Sequence, residues 1–421
     1  MSVFPRIFLK PKEEIEIRQG FPWVFDNEIA SVSFGGGNPL SLADCVVPDG
    51  WAVEVFSVAG LFLGTGIINR KSKITVRLLT PGRGEILFDS PENIHTDRGS
   101  QFFRERIKQA HEARFLFYGK NDSYRLIFAE ADFIPGLTVD RYCTRENHVY
   151  LVVQFLSLSC EVFRKEILAA LWEVCCPRGI YERSDVSVRA LEGLEKKSGW
   201  IGAVFEPVII IRENSVLLKI DLAEGQKTGY FLDQKNNRRL AAALAGKRRV
   251  LDAFTHTGAF GLNAALGGAS SVIAADISEG AVRMTEENIT LNKAGGVMKA
   301  VCADVFDLLR SYEATKTEFD MIILDPPAFA KKAGSSDNAF GGYKEINLRA
   351  MKLLAPGGIL VTCSCSSFFD AALFYSMIVH AARDAKRRVQ ILEKHGAGPD
   401  HPVLAGYSQS EYLKCAVLRV V

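Results

Sequence analysis

Two cysteines one residue apart, Cys363 and Cys365 in the run TCSCSS, have the type and spacing to do covalent chemistry. Methylating carbon 5 of a pyrimidine needs a nucleophile at carbon 6 to make carbon 5 electron-rich, and a cysteine thiolate is the usual agent. A strand repeat of two puts both thiols on one face, so the residues alone leave the choice between them open. The alternative is that both are small buried hydrophobes. A second run, DPPAF at residues 325–329, carries two prolines that stiffen the backbone and remove two amide donors. That leaves carbonyls and the Asp325 carboxylate as an acceptor-rich edge, suited to a base with an exocyclic amino group and ring nitrogens. Ala328 follows the prolines where a stacking aromatic would sit in an amino-nitrogen methylase, with Phe329 next.

A methyl donor needs a cradle, and RRVLDAFTHTGAFGLNAALGGASSVIAADIS at residues 248–278 provides one. Val250 and Leu251 end an apolar strand, Asp252 sits at its tip, Gly258 and Gly261 permit close backbone approach, and SSVIAAD forms a second strand ending in Asp276. There is no GxGxxG, and a carboxylate at Asp252 would repel a pyrophosphate while suiting the ammonium and sulfonium charges of S-adenosyl-L-methionine. Asp276, 24 residues on (276 minus 252), is placed to accept bonds from two ribose hydroxyls. Asp304, beyond a third strand in VMKAVCADVFDLL, is placed to accept from an adenine amino group. The competing reading has these acids only capping helices.

The elements that position these residues alternate strand and helix. FDMIIL is a fourth strand buried on both faces, GGYKEINLRAMKLL a helix ended by APGG, ILVTCSCSSFF a fifth strand, and HPVLAGYSQSEYLKCAVLRVV a closing pair of strands. The fold class is α/β, a doubly wound parallel sheet with Asp252, Asp276, Asp304, Asp325 and the cysteine pair collected at its carboxyl edge.

Composition limits the partners. With 51 Lys and Arg against 49 Asp and Glu, the net charge of +2 demands no nucleic acid, so any RNA would be held by local patches. No run approaches the roughly 18 uncharged apolar residues of a membrane span, and MSVFPRIFLKPKEE lacks an apolar signal core, so a cytoplasmic protein is expected. Nine cysteines without metal-ligand spacing read as free thiols, and no metal is expected.

Before the catalytic region, residues 1–80 read as short strands in a small β-barrel-like module. Lys10, Lys12, Arg18, Arg70, Lys71, Lys73 and Arg77 gather there with Phe21, Trp23 and Phe25, a mixture that can contact phosphates and stack on bases, or equally form core and solvated rim. Residues 81–200 read as an α+β domain with a helix from about 97 to 118, and EPVIIIRENSVLLKIDL as a hairpin turning at Glu213-Asn214. The catalytic domain is expected over 201–421.

Taken together, the chain resembles the ribosomal large-subunit RNA methyltransferase I family, S-adenosylmethionine-dependent cytosine-5 methyltransferases with an N-terminal PUA domain. FPWVF and GLFLGTGIINRKSKITVRLL are similar to the PUA domain, IPGLTVDRY and YERSDVSVRALEGLE to the central domain, and KTGYFLDQKNNR, DAFTHTGAFG, DPPAF, GYKEIN and SCS to a Rossmann-like class I methyltransferase domain. The resemblance implies that Cys365, the middle of SCS, is the nucleophile and that Asp325 orients a flipped cytosine. It implies that Asp252, Phe254, Thr257 and Gly258 shape the methionine end of the cofactor site, while Lys227, Phe231, Asp233 and Gln234 fold over it. The partner implied is 23S ribosomal RNA, gripped by the PUA and central domains, with a homodimer left open. Rival expectations are a guanine-N7 or other base-nitrogen methylase and a non-catalytic RNA-binding ribosome-assembly factor.

Overall fold

The computed structural model describes residues 4–35, 38–329 and 336–421, and the chain divides into two compact units. The first comprises residues 1–209, 221–230 and 399–410; the second comprises 210–220, 231–398 and 411–421. No helix among the described residues is long and apolar enough to cross a membrane.

The first unit holds two sheets. Strands β1 (Arg6–Leu9), β2 (Trp23–Phe25), β3 (Ile29–Ser33), β4 (Ala52–Phe56), β5 (Phe62–Ile68) and β6 (Ile74–Thr80) form a six-stranded sheet in the order β2-β6-β5-β4-β1-β3. Its inward positions, among them Ile7, Val24, Val53, Ile68 and Val76, pack into one apolar core. Strands β7 (Tyr124–Phe128), β8 (Leu137–Cys143), β9 (Val149–Phe155), β10 (Gly179–Ser184) and β11 (Lys197–Ile201) form the second sheet in the order β11-β10-β9-β8-β7. The helices Asp97–Arg114 and Arg164–Cys175 share a core with that sheet, centred on Phe88, Phe103, Phe155 and Phe163.

Two expectations for this unit change. The helix expected to reach residue 118 stops at Arg114, whose guanidinium is drawn onto both oxygens of Asp132 at 2.6 Å each, and the chain turns through 115–118 instead. Arg77 is not a phosphate-facing residue. It is 8% exposed, bonded to Glu130 at 3.0 Å and Glu192 at 2.9 Å, and lies over the Trp23 ring. Trp23, partly exposed, donates to Glu130 and packs on Tyr407, and of the three aromatics Phe21 is the buried one. A buried guanidinium needs such paired acceptors, whereas Lys71 and Lys73 remain exposed.

Strands β12 (Val208–Glu213) and β13 (Val216–Asp221) form the expected hairpin, turning one residue later than expected, at Asn214-Ser215. Both have positive φ, 49° and 72°, as a tight hairpin requires. Glu213 stays in the strand because its buried carboxylate takes both arms of Arg238 at 2.5 and 2.8 Å.

The second unit is built on strands β14 (Arg249–Ala253), β15 (Ser271–Asp276), β16 (Met298–Cys302), β17 (Phe319–Leu324), β18 (Leu354–Ser364), β19 (Val389–His395) and β20 (Lys414–Val420). The order is β16-β15-β14-β17-β18-β20-β19, with β14 through β18 parallel and β20 antiparallel to both neighbours. Near-continuous apolar runs such as Met321–Leu324 are buried on both faces, as a helix-covered parallel sheet demands. Strand order reverses between β14 and β17, so the ligand crevice of such a sheet lies at their carboxyl ends. The closing pair is not drawn from residues 401–421 alone. β20 pairs with β19, an exposed edge strand of sequence VQILEKH, while residues 399–410 join the first unit. There Asp400 is fully buried, accepting from Arg125 N at 2.9 Å and Tyr118 Oη at 3.1 Å.

Candidate active site

The turn after β14 is bent by three residues of positive φ: Phe254 (64°), His256 (53°) and Gly258 (87°). Beneath it lies Asp252, 0% exposed, whose Oδ2 accepts from Thr255 and from Gly261 N at 2.7 Å. Burial pushes this carboxyl up to about 7 against those two hydrogen bonds. Its Oδ1 is buried with no donor among the described residues. Gly258 leaves no room for a side chain, since a Cβ there would stand 2.8 Å from Thr285 Cγ2. Asp276, at the end of β15, accepts from His256 N at 2.9 Å and Ser278 N at 3.0 Å, binding the turn to its own strand. The adjoining helix Glu279–Leu291 grips the turn from outside, with Thr285 donating to His256 O and Asn288 to Thr257 O, both at 3.0 Å. Sequence reading missed this pair. Their signal was polar residues at helical spacing, 285 and 288, on a face otherwise carrying Val282 and Ile289.

Asp304 caps the helix Val305–Ala314, its Oδ1 accepting from Phe306 N at 2.8 Å and Asp307 N at 3.3 Å. Capping thus occupies one oxygen of a residue that still lies two positions beyond β16.

Asp325 is the first residue after β17, and Gln234 Nε2 donates to its Oδ1 at 2.8 Å. Gln234 is oriented in turn by Asn237, whose Nδ2 reaches Oε1 at 2.6 Å. Asp233 is buried and accepts from Tyr412 Oη at 2.5 Å. Phe231 meets His256 edge-on at 5.2 Å, so the FLDQ segment packs against the β14 turn. Of the four residues expected to close over the site, Phe231, Asp233 and Gln234 belong to the second unit and Lys227 to the first.

The two cysteines occupy unlike places. Cys363 is inside β18, 0% exposed, directly opposite Cys415 of β20, and its thiol is pushed well up by a hydrogen bond with Cys415 and by burial. The strand ends at Ser364, so Cys365 stands just beyond it and is partly exposed; the strand alternation expected to equate the two does not reach Cys365. Tyr343, fully buried, braces this corner. Its ring lies 4.6 Å from Phe329 of DPPAF and 4.8 Å from Phe369, and its hydroxyl bonds Ser364. No cluster of three His, Cys, Asp or Glu among the described residues could hold a metal.

A seven-stranded sheet of this order, with acids at successive carboxyl ends and a glycine-bearing turn over a buried carboxylate, defines an S-adenosylmethionine-dependent methyltransferase. Residues 195–411 match the S-adenosylmethionine-dependent methyltransferase family model, and residues 7–81 match that of a PUA-like domain. The chain belongs to the ribosomal RNA large subunit methyltransferase I family. It is 39% identical to the family protein of Tolumonas auensis, covering 99% of both chains, and 38% identical to that of Aeromonas salmonicida, covering 100% of both. Among solved structures, a protein of Streptococcus mutans described as a SAM-dependent methyltransferase aligns over 100% of both chains with a TM-score of 0.77 at 21% identity. SMU.776, a methyltransferase solved with SAH, aligns equally fully with a TM-score of 0.78 at 21% identity.

Proposed function

We propose that the protein methylates carbon 5 of a cytosine in large-subunit (23S) ribosomal RNA, using Cys365 as nucleophile. The observation that carries this reading is the position of Cys365, partly exposed at the first residue beyond β18, on the edge that also holds Asp325. S-adenosyl-L-methionine, when bound, supplies the electrophilic methyl group. The orphaned Asp252 Oδ1 suits a ligand that brings an ammonium donor, and Phe254, Thr257 and Gly258 form the turn such a ligand would lie against. Asp276 keeps lone pairs for ribose hydroxyls, and Asp304 for an adenine amine. Asp325, held by Gln234, presents an acceptor to the cytosine amino group, while Phe231, Asp233 and Gln234 wall the site.

In the reaction the Cys365 thiolate adds to carbon 6, forming a carbon-sulfur bond and leaving carbon 5 able to take the methyl group. The carbon-5 proton then passes to solvent, and its electron pair re-forms the carbon 5–carbon 6 double bond as the carbon–sulfur bond breaks, which expels the thiolate and restores the ring. Unstacking the target base costs a few kcal/mol, which the PUA-like and central sheets of the first unit offset by gripping RNA. We place this activity in the cytoplasm.

The test is an RNA carrying 5-fluorocytosine at the target, which blocks the elimination step. Wild-type protein with S-adenosylmethionine is expected to give a denaturation-resistant adduct that Cys365→Ala does not. Methylation surviving in a Cys363→Ala/Cys365→Ala double variant would reject carbon 5 in favour of a base nitrogen, and absence of any methyl transfer to rRNA would favour an assembly factor.

A further inference from the structure

We infer that Lys414 is a positioning residue for the nucleophile: its ammonium, fixed beside the turn that leaves β18, holds the Cys365 sulfur as a thiolate. The inference rests on the reading of Cys365 as the nucleophile.

Sheet register sets the geometry. β20 runs antiparallel to β18 with Lys414 directly opposite Ser364, so the lysine begins one residue from Cys365. Its side chain does not run out to water, the residue being 7% exposed. Nζ donates to Ser366 O at 2.6 Å and to Tyr412 O at 2.8 Å, so the ammonium ties the residue after Cys365 to the segment that leads into β20. An ammonium has three donors, and these two carbonyls take two of them.

A buried cation held only by carbonyl dipoles is undercompensated, and a full negative charge nearby is what stabilises it. The charged and titratable groups acting on Lys414 are Cys365, Asp370 and Glu411. Asp370 and Glu411 are exposed, where solvent screens them, and Asp370 already caps the helix Ala371–Asp384. Cys365 is therefore the natural counter-ion. Burial brings Lys414 down to about 8, and a negative Cys365 acts against that fall. The interaction is reciprocal: whatever the thiolate does to keep the amine protonated, the ammonium does to keep the thiol deprotonated. Cys365 and Asp325 both act on Tyr343 at this corner; a neutral phenol leaves the thiolate's charge unchanged, whereas a carboxylate opposes it. The groups that act most on Cys363 are Cys415, Asp325 and Gln234, none of them a cation, and its thiol is raised. The two cysteines thus differ in the charge of the group packed against each.

The proton count is simple. The pair passes from thiol with ammonium to thiolate with ammonium by releasing one proton to water, and the thiolate then adds to carbon 6. Above about pH 8 the amine loses its own proton and the support is withdrawn.

The experiment uses the full-length protein without cofactor or RNA, so it reads the thiol independently of the proposed reaction. Iodoacetamide labelling is followed against pH, resolved by peptide mass spectrometry to distinguish Cys365 from the other thiols. In Lys414→Met the midpoint for Cys365 is expected to rise by at least about one pH unit, slowing labelling at pH 7 roughly tenfold, with Lys414→Arg restoring it. Methyl transfer is expected to follow the same order, with kcat falling in Lys414→Met and recovering in Lys414→Arg or at high pH. An unchanged Cys365 midpoint in folded Lys414→Met would overturn the inference and leave Lys414 a brace for the turn. If Lys414→Met does not fold, Lys414→Arg decides: a guanidinium does not titrate, so the alkaline fall in activity is expected to move upward, and a fall left in place overturns it. Methylation persisting in Cys365→Ala would instead overturn the nucleophile assignment, whatever the labelling shows.

Discussion

Gln234 Nε2 stands 2.8 Å from Asp325 Oδ1, joining the segment before the helix Lys235–Leu244 to the first residue beyond β17. Asn237 fixes the glutamine, so the amide that donates to Asp325 is itself held in place by a second amide. A neutral donor orients a carboxylate without adding charge of its own. Gln234→Leu is expected to lower kcat by roughly 10- to 100-fold with S-adenosylmethionine affinity within a few-fold of wild type. Isothermal titration alongside single-turnover methylation separates the two, and equal losses in both would place Gln234 on the cofactor instead.

Cys365→Ala and Cys363→Ala are expected to fail in different ways. The first loses methyl transfer and the trapped adduct while unfolding at the same temperature as wild type. The second removes a buried atom from the β18–β20 contact and is expected to cost about 1 to 2 kcal/mol, with the adduct retained. Thermal melts beside the adduct gel give both readouts, and a stable, inactive Cys363→Ala would reverse the assignment.

Asp252 makes a prediction in pH. Burial raises its carboxyl from 3.8 in the unfolded chain to about 7 in the fold, so the unfolded chain releases this proton more readily. The stability it contributes is complete below about pH 4 and is lost as pH rises through 7, a swing of roughly 4 kcal/mol at most. Asp252→Asn is therefore expected to gain on wild type as pH goes from 5 to 8, and to bind S-adenosylmethionine weakly at either pH. Melting curves at the two values check the first, and a parallel pH response of both proteins would show that Asp252 does not titrate there.

Of the basic residues near the first sheet, Arg77→Ala is expected to destabilise the first unit by about 3 to 5 kcal/mol, since it strands Glu130 and Glu192 in the interior. Neutralising Lys71 and Lys73 together is expected to leave stability within about 0.5 kcal/mol and to flatten the salt dependence of RNA binding by roughly one to two units of slope. Filter binding across a salt series measures this, and an unaltered slope would mean RNA lies elsewhere.

What the sequence disclosed follows the physics of each element. β14, β15 and β17 were legible because parallel strands buried on both faces need unbroken apolar runs, and their ends carry acids that nothing in the core explains. β19 was not, because VQILEKH is an exposed edge strand whose only demand is the ladder with β20. The choice of Arg77 as an interior ion rather than a surface one depends on partners far along the chain. Glu130 and Glu192 lie 53 and 115 residues from Arg77, beyond any local pattern. Lys414 was invisible for the same reason, its significance arising only when β20 is laid beside β18.

Residues 399–410 belong to the first unit, where the buried carboxylate of Asp400 receives Arg125 and Tyr118 and its carbonyl receives Arg114. Domains nearer the N-terminus ordinarily fold first during synthesis. Here the first unit waits for residues that follow its last strand by almost the whole second unit. Until they arrive, Arg114 lacks one acceptor and the amide of Arg125 its carboxylate. A unit whose sheets precede the second unit is completed only after residues 231–398 have been made, which leaves it open to chaperones while the second unit is synthesised.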